Sequence, residues 1–140
     1  MAKKIKTHIT INAPKERVWE ILTDFEKYPD WNPFVKSLEG EVKEGGRIRI
    51  QLPGMTFRPT VLAFDPNTEL RWLGHLGFKG LFDGEHKFYL TKNADGSTEF
   101  EHSEEFHGLL VGLFSGMLER DTRPGFEAMN QKLKELAEAY

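Results

Sequence analysis

The amino-acid sequence predicts an α+β protein, a single domain over residues 1–140. Three observations predict it: strict apolar alternation at the start, a long middle zone of short runs divided by turn residues, and an apolar helical stripe at the end. Residues 5–12 alternate, with Ile5, Thr7, Ile9 and Ile11 on one face, and read as a strand. Asn12-Ala13-Pro14 then opens a helix, because a proline near the first helical position gives up an N–H that would be unpaired there anyway. Val18, Trp19, Ile21, Leu22 and Phe25 follow at helical spacing. Asp24 is placed to cap a second short helix. Pro29 and Pro33 close it, since the residue before a proline avoids the helical region.

From about residue 34 to 107 the chain reads as antiparallel β. The runs 46–52, 57–64, 69–76, 82–91 and 97–107 are separated by Glu44-Gly45-Gly46, Pro53-Gly54, Asp65-Pro66-Asn67 and Asn93-Ala94-Asp95-Gly96. Tight turns between successive strands favour a meander over a parallel sheet. The last zone, roughly 109–138, is helical, with Phe114, Leu118, Phe126, Met129, Leu133 and Leu136 along one stripe. Pro124 and Gly125 interrupt the pattern, so a kink or short break is expected near 121–125, with Asp121 and Thr122 capping a restarted helix.

Composition narrows the function. The chain has 19 Lys and Arg against 22 Asp and Glu, a net charge of -3, and no cysteine. A sequence-independent nucleic-acid binder needs a concentrated basic footprint, and no basic block is present. Disulfides, thiolate nucleophiles and cysteine metal sites are excluded. The most apolar stretch, Gly108 to Leu118, has eleven residues, whereas a spanning helix needs about 20, so no membrane span is expected. The N-terminus has lysines without an apolar run behind them, unlike a signal peptide, and a cytoplasmic location is expected.

Alternation also assigns the faces of the last two runs. Phe82, Gly84, His86, Phe88 and Leu90 share one side, and Asp83, Glu85, Lys87 and Tyr89 the other. Thr98, Phe100, His102, Glu104 and Phe106 lie opposite Glu99, Glu101, Ser103 and Glu105. Solvent takes the charged sides, which commits His86, His102 and Glu104 to the apolar side, interleaved with phenylalanines. A hairpin loop at 92–96 makes Phe88 face Phe100, His86 face His102, Gly84 face Glu104 and Phe82 face Phe106. A slip of one residue would put Phe beside Glu on opposite faces. His8, His75 and His107 fall on outer faces. The glycines at 74, 77, 80 and 84 lack phosphate-loop spacing and read as turn geometry or a flexible rim.

Segments 11–34 (INAPKERVWEILTDFEKYPDWNPF), 80–90 (GLFDGEHKFYL), 102–110 (HSEEFHGLL) and 125–135 (GFEAMNQKLKE) together resemble the SRPBCC superfamily, the START and polyketide-cyclase-like helix-grip proteins. The resemblance implies a curved antiparallel sheet gripping the C-terminal helix around a cavity for a hydrophobic molecule. It implies carriers, cyclases, dehydratases and chaperone activators alike, because fold does not determine function. Within that cavity, His86, His102 and Glu104 would form the polar end. Trp72, Phe88, Phe100, Phe106, Phe114, Met117 and Met129 would line it, with Trp31 and Phe34 near the mouth. The expected partner is a small hydrophobic or amphipathic molecule, and a homodimer is compatible with the chain. The same three polar residues suit acid–base chemistry in a cofactor-independent cyclase or dehydratase. Two histidines and a glutamate also suit zinc or iron by ligand type. Facing across a hairpin is a weak metal signal, and the resembled proteins are not usually metalloproteins, so no metal and no cofactor are expected. The bland alternative is that the three residues satisfy one another in a filled core.

Overall fold

The computed structural model describes residues 2–139. The chain opens with strand β1 (Ala2–Ile11), helix α1 (Lys15–Leu22), a 3₁₀ turn over Phe25–Lys27 and the short helix α2 (Tyr28–Trp31). Seven strands follow: β2 (Ser37–Gly40), β3 (Ile48–Leu52), β4 (Met55–Phe57), β5 (Thr60–Asp65), β6 (Glu69–His75), β7 (Asp83–Lys92) and β8 (Thr98–His107). Helix α3 (Val111–Glu138) ends the fold. The four strands of the meander β5–β8, with β1 closing onto their end, form a five-stranded sheet in the order β1-β8-β7-β6-β5. Strands β2-β3-β4 form a second sheet, joined to the first where Arg47 bridges Thr60 and the Ile48 N–H donates to the Pro59 carbonyl. All pairings are antiparallel. Helix α3 lies against β1 and β8 and packs on α1.

The alternation read in β1 is what the fold buries: Ile5, Thr7 and Ile11 are inside, and Lys6, His8 and Thr10 between them are exposed. Ile5, Phe88, Leu90, Phe100, Phe126, Met129 and Leu133 form the centre of the core between the sheet and α3. Tyr28 is fully buried and its hydroxyl donates to the Leu22 carbonyl, which ties α2 back onto α1. Burial, with the Asp24 charge adding to it, pushes the Tyr28 phenol far above its usual range. Asn32 Oδ1 accepts the N–H groups of Phe34 and Val35 at 2.9 Å each, an Asx turn that brings Phe34 around to the inside.

Four expectations need correction. The run 57–64 is two strands, parted at Pro59, which has no N–H to offer a ladder. Strand β2 has no counterpart among the expected runs; at four residues it is too short for its alternation to register. The β7–β8 pairing is displaced by two residues, so that His86 faces Glu104, Phe88 faces His102, Gly84 faces Phe106 and Leu90 faces Phe100. The loop occupies 93–97 because its own side chains knit it there. Asn93 N–H donates to the Ser97 carbonyl, Asp95 Oδ1 accepts from both the N–H and the hydroxyl of Ser97, and Gly96 takes φ +89. Matching polarity excludes an odd slip, whereas an even one keeps every side chain on its face.

The fourth correction concerns α3, which passes through Pro124-Gly125 without a break. Leu118 on one side and Phe126, Met129 and Leu133 on the other are buried in the same core, so packing holds both halves in one helix. Proline there still forfeits the bond to the Arg120 carbonyl, at a cost of about 3 kcal/mol for an interior position. Pro124 is exposed, so Pro124→Ala loses no packing. It should raise stability by about 1–3 kcal/mol after allowing for the freer unfolded chain. Thermal or urea denaturation checks this, and a lowered midpoint would mean that the ring shapes α3 in a way the core needs.

Candidate functional site

The inward faces of β7 and β8 place the three polar residues in one cluster, although not with the partners expected. Glu104 stands directly opposite His86 across the ladder, and His102 lies one pleat further along, beside Phe88. His86 Nδ1 is 3.1 Å from Glu104 Oε1, and His86 Nε2 is 2.8 Å from His102 Nε2. The chain continues out of the hairpin. His102 Nδ1 is 2.9 Å from Asn130 Oδ1 on α3, Asn130 Nδ2 donates to Thr7 Oγ1 at 2.8 Å, and the Thr7 hydroxyl donates to the His102 carbonyl at 2.9 Å. Thr7 and His102 are paired across β1 and β8, so a single buried circuit joins both neighbouring strands and the helix. Asn130 and this role of Thr7 were not read from the sequence. The available signal was an asparagine in the same apolar stripe as Phe126 and Met129, where a polar side chain requires a partner.

Donor and acceptor chemistry orients this circuit from its buried end. Thr7 spends its one hydroxyl proton on the His102 carbonyl and therefore accepts from the Asn130 amide nitrogen, which turns Asn130 Oδ1 toward His102. His102 Nδ1 must then carry a proton. Burial pushes the His102 imidazole well below the usual histidine range, and the neighbouring His86 adds to the depression. The hydrogen bonds to Asn130 and the Phe126 backbone oppose it without prevailing. A neutral His102 protonated on Nδ1 has a bare Nε2, so the 2.8 Å contact is donated by His86 Nε2–H. His86 Nδ1 and Glu104 Oε1 then share one proton between them, as imidazolium with carboxylate or as imidazole with carboxylic acid.

Aromatic packing fixes the rings in this order. His86 stacks on Trp72 with centroids 4.8 Å apart, and His102 stacks on Phe126 at 4.0 Å. Glycine supplies the remaining room. A Cβ at Gly84 would overlap Glu104 Oε2, and one at Gly125 would lie 2.6 Å from Phe34 Cδ1. The carboxylate therefore rests over bare backbone on β7, and Phe34 against bare backbone on α3.

Beside the Glu104 end of the circuit lies a cavity of about 540 Å³, within the size range of small-molecule sites. Strand β3, the β3–β4 hairpin and β4 contribute Ile50, Leu52, Pro53 and Phe57; β6 and the segment after it contribute Trp72, Gly74 and Phe82. Phe106, Leu110 just before α3, and the first half of α3 with Phe114, Met117 and Leu118 complete the wall, and Phe34 reaches in from the segment after α2. Of the ten residues expected at the site, His86, Glu104, Trp72, Phe106, Phe114 and Met117 line this cavity. His102, Phe88, Phe100 and Met129 do not: they are fully buried in the core behind it. Trp31 packs edge-on against Tyr28 and is absent from the lining. Alternation assigned these residues a face, and depth along that face is a tertiary property. Leu76, Met55 and Met117 line the cavity while being substantially exposed, which marks the open side. Among the described residues, no group of three His, Asp or Glu side chains is arranged to hold a metal ion.

Two measurements follow from this geometry. The folded-state value of His102 is depressed, so the unfolded chain binds a proton that the folded chain does not. The His102 contribution is fully present above about pH 6.5 and is lost as pH falls below it, with a slope of at most about 1.4 kcal/mol per pH unit. Denaturation midpoints from pH 7.5 to 5 should decline with that sense, and His102→Gln should remove its part of the slope while lowering stability throughout. Gly84→Ala should displace the Glu104 carboxylate, visible as a shift of the His86 ring resonances in NMR. Unchanged resonances would mean that the Glu104–His86 contact does not form.

The chain matches, over residues 2–138, a family described as polyketide cyclase / dehydrase and lipid transport. No curated protein sequence matches it. Among solved structures, the hypothetical protein jhp0584 from Helicobacter pylori superposes with a TM-score of 0.82 at 14% identity, covering 96% of this chain and 88% of that one. The Zhui aromatase/cyclase from Streptomyces sp. R1128 gives 0.78 at 20% identity, covering 99% and 94%. A truncated norcoclaurine synthase from Thalictrum flavum gives 0.76 at 15% identity, covering 100% and 96%. At these identities the likeness establishes the helix-grip fold: a curved five-stranded antiparallel sheet with a long C-terminal helix and short helices after the first strand. The match along almost the whole length, joined to that fold, makes this chain a member of the polyketide cyclase / dehydrase and lipid transport family.

Proposed function

We propose that the protein binds a small, largely apolar molecule in the cavity between sheet and helix, with Glu104 and His86 at its polar end. The observation that carries this reading is the cavity itself. About 540 Å³ of space is walled by aromatic and aliphatic side chains, with a histidine–carboxylate pair on one wall. A filled core would have left the Glu104 carboxylate against protein; instead its side chain borders open space. The open side supports entry from solution, because Leu76, Met55 and Met117 are exposed there. The family's own description, which includes lipid transport beside cyclase and dehydrase activity, fits a cavity of this kind.

A second reading rests on the shared proton. An ionised Glu104 facing the cavity can remove a proton from a ligand carbon next to a carbonyl. It can return that proton to a hydroxyl on the adjacent carbon, which leaves as water while a C=C bond forms. This is a dehydration that needs no cofactor, with His86 stabilising the carboxylate before the first transfer and after the second. The neighbouring folds include an aromatase/cyclase and a synthase, which keeps such chemistry in view.

Binding is tested with N-phenyl-1-naphthylamine, an uncharged probe that fluoresces in apolar surroundings. It should bind the wild-type protein saturably. A Cβ at Gly74 meets nothing closer than Pro59 Cβ at 3.6 Å, so Gly74→Leu should fold and place its side chain in the cavity. Probe affinity should fall at least tenfold with an unchanged denaturation midpoint. Equal affinity in the variant would place the probe elsewhere and remove the support for an internal site.

A further inference from the structure

We propose that this cavity selects ligands whose polar end donates a hydrogen bond, such as a phenol, hydroxyl or protonated amine, and rejects carboxylates. This rests on the ligand-binding reading above and names the class of ligand.

Thr7 does not border the cavity, yet it orients the groups that do. Its single proton goes to the His102 carbonyl, and each subsequent contact through Asn130, His102 and His86 inherits a direction from it. At the cavity end one proton lies between His86 Nδ1 and Glu104 Oε1. If it sits on His86, Glu104 is a carboxylate and both oxygens accept. If it sits on Glu104, it sits on Oε1, and Oε2 is a carbonyl oxygen. Oε2 is an acceptor in either state. Among the described residues Oε2 has no hydrogen-bond partner, and it lies over Gly84 at the cavity wall. A ligand atom meeting it must bring a hydrogen.

The rest of the lining points the same way. His86 offers the cavity no free donor, because Nδ1 faces Glu104 and Nε2 faces His102. The ionisable groups along the wall are His86, Glu104 and Asp121, with no lysine or arginine among them. A carboxylate entering this space would lose its water, find no cation beyond a His86 already paired with Glu104, and face that same Glu104. A hydroxyl would gain the unpartnered Oε2 of Glu104 as its acceptor, and a protonated amine would gain the attraction of the carboxylate as well. The aromatic side chains of Trp72, Phe34, Phe106 and Phe114 in the wall suit an aromatic body, so a phenolic ring system suits both ends.

Three naphthalene probes separate the possibilities: 2-naphthol, 2-methoxynaphthalene, whose oxygen is capped, and 2-naphthoate. Affinities for the wild-type protein come from competition against N-phenyl-1-naphthylamine. The expected order is naphthol, then methoxynaphthalene, then naphthoate, with naphthol at least fivefold ahead of its methyl ether. Glu104→Met should bring those two within twofold of each other. If methoxynaphthalene or naphthoate binds the wild type as tightly as naphthol, the proposal is overturned while the binding site stands. A naphthol preference that survives in Glu104→Met also overturns it, because Oε2 would not be the acceptor. If no probe binds, including the uncharged naphthylamine, the ligand-binding reading has failed and this inference falls with it. Should Glu104→Met fail to fold, the order of the three affinities in the wild type still decides.

Discussion

The structure depends on the hydrogen bond between Asn130 and His102. With the Asn130–Thr7 bond, it carries polar contact from the C-terminal helix to the sheet in the middle of an otherwise apolar interface formed by Ile5, Phe100, Phe126, Met129 and Leu133. Apolar contact is non-directional and would tolerate small rotations of α3 about its axis. A buried amide and imidazole left unpaired would each cost about 1–3 kcal/mol, so the helix keeps the rotation that satisfies them. With Asn130 also donating to Thr7, one helix position is locked to both β1 and β8.

That lock has consequences at the cavity. Because His102 is held neutral and oriented from behind, His86 has one way to meet it, and Glu104 has one way to meet His86. Stacking on Trp72 and Phe126 keeps the two rings from turning out of line. The polar end of the cavity is thus preorganised by residues that never border it, in the manner that supporting contacts hold reactive groups elsewhere. The space for it comes from absent side chains. Gly84 leaves room for the carboxylate and Gly125 leaves room for Phe34, so two positions without a Cβ shape opposite walls.

The face pattern and the two-residue register displacement explain why so much of the site was legible and why its wiring was not. Charged residues alternating with Phe, His and Glu over 82–90 and 98–106 leave one choice of inner face, and an even slip preserves that choice. His86, His102 and Glu104 therefore share the inner face whichever even register is taken, yet which of them meet depends on the hairpin loop. That loop is set by hydrogen bonds among Asn93, Asp95 and Ser97, whose side chains can serve several neighbouring turns. In the same way Pro124 is a sound signal for a helix break in isolation, and the packing of Leu118 and Phe126 on the same core overrides it.

The sequence by itself determined the order of zones (strand, short helices, antiparallel meander, C-terminal helix), the inner faces of the last two strands, the apolar stripe of α3 and the commitment of two histidines and a glutamate to the interior. These follow from local periodicity, because the side-chain period of a strand or helix is a property of the backbone and is written residue by residue. Tertiary structure alone decided that Phe88, Phe100, His102 and Met129 fill the core while Trp72, Phe106, Phe114 and Met117 wall a cavity. It alone also closed β1 onto β8 and brought Asn130 to His102 across 28 residues of chain. Depth and long-range pairing depend on how whole elements pack against one another, and no local pattern encodes the distance between two faces that meet only when the chain is folded.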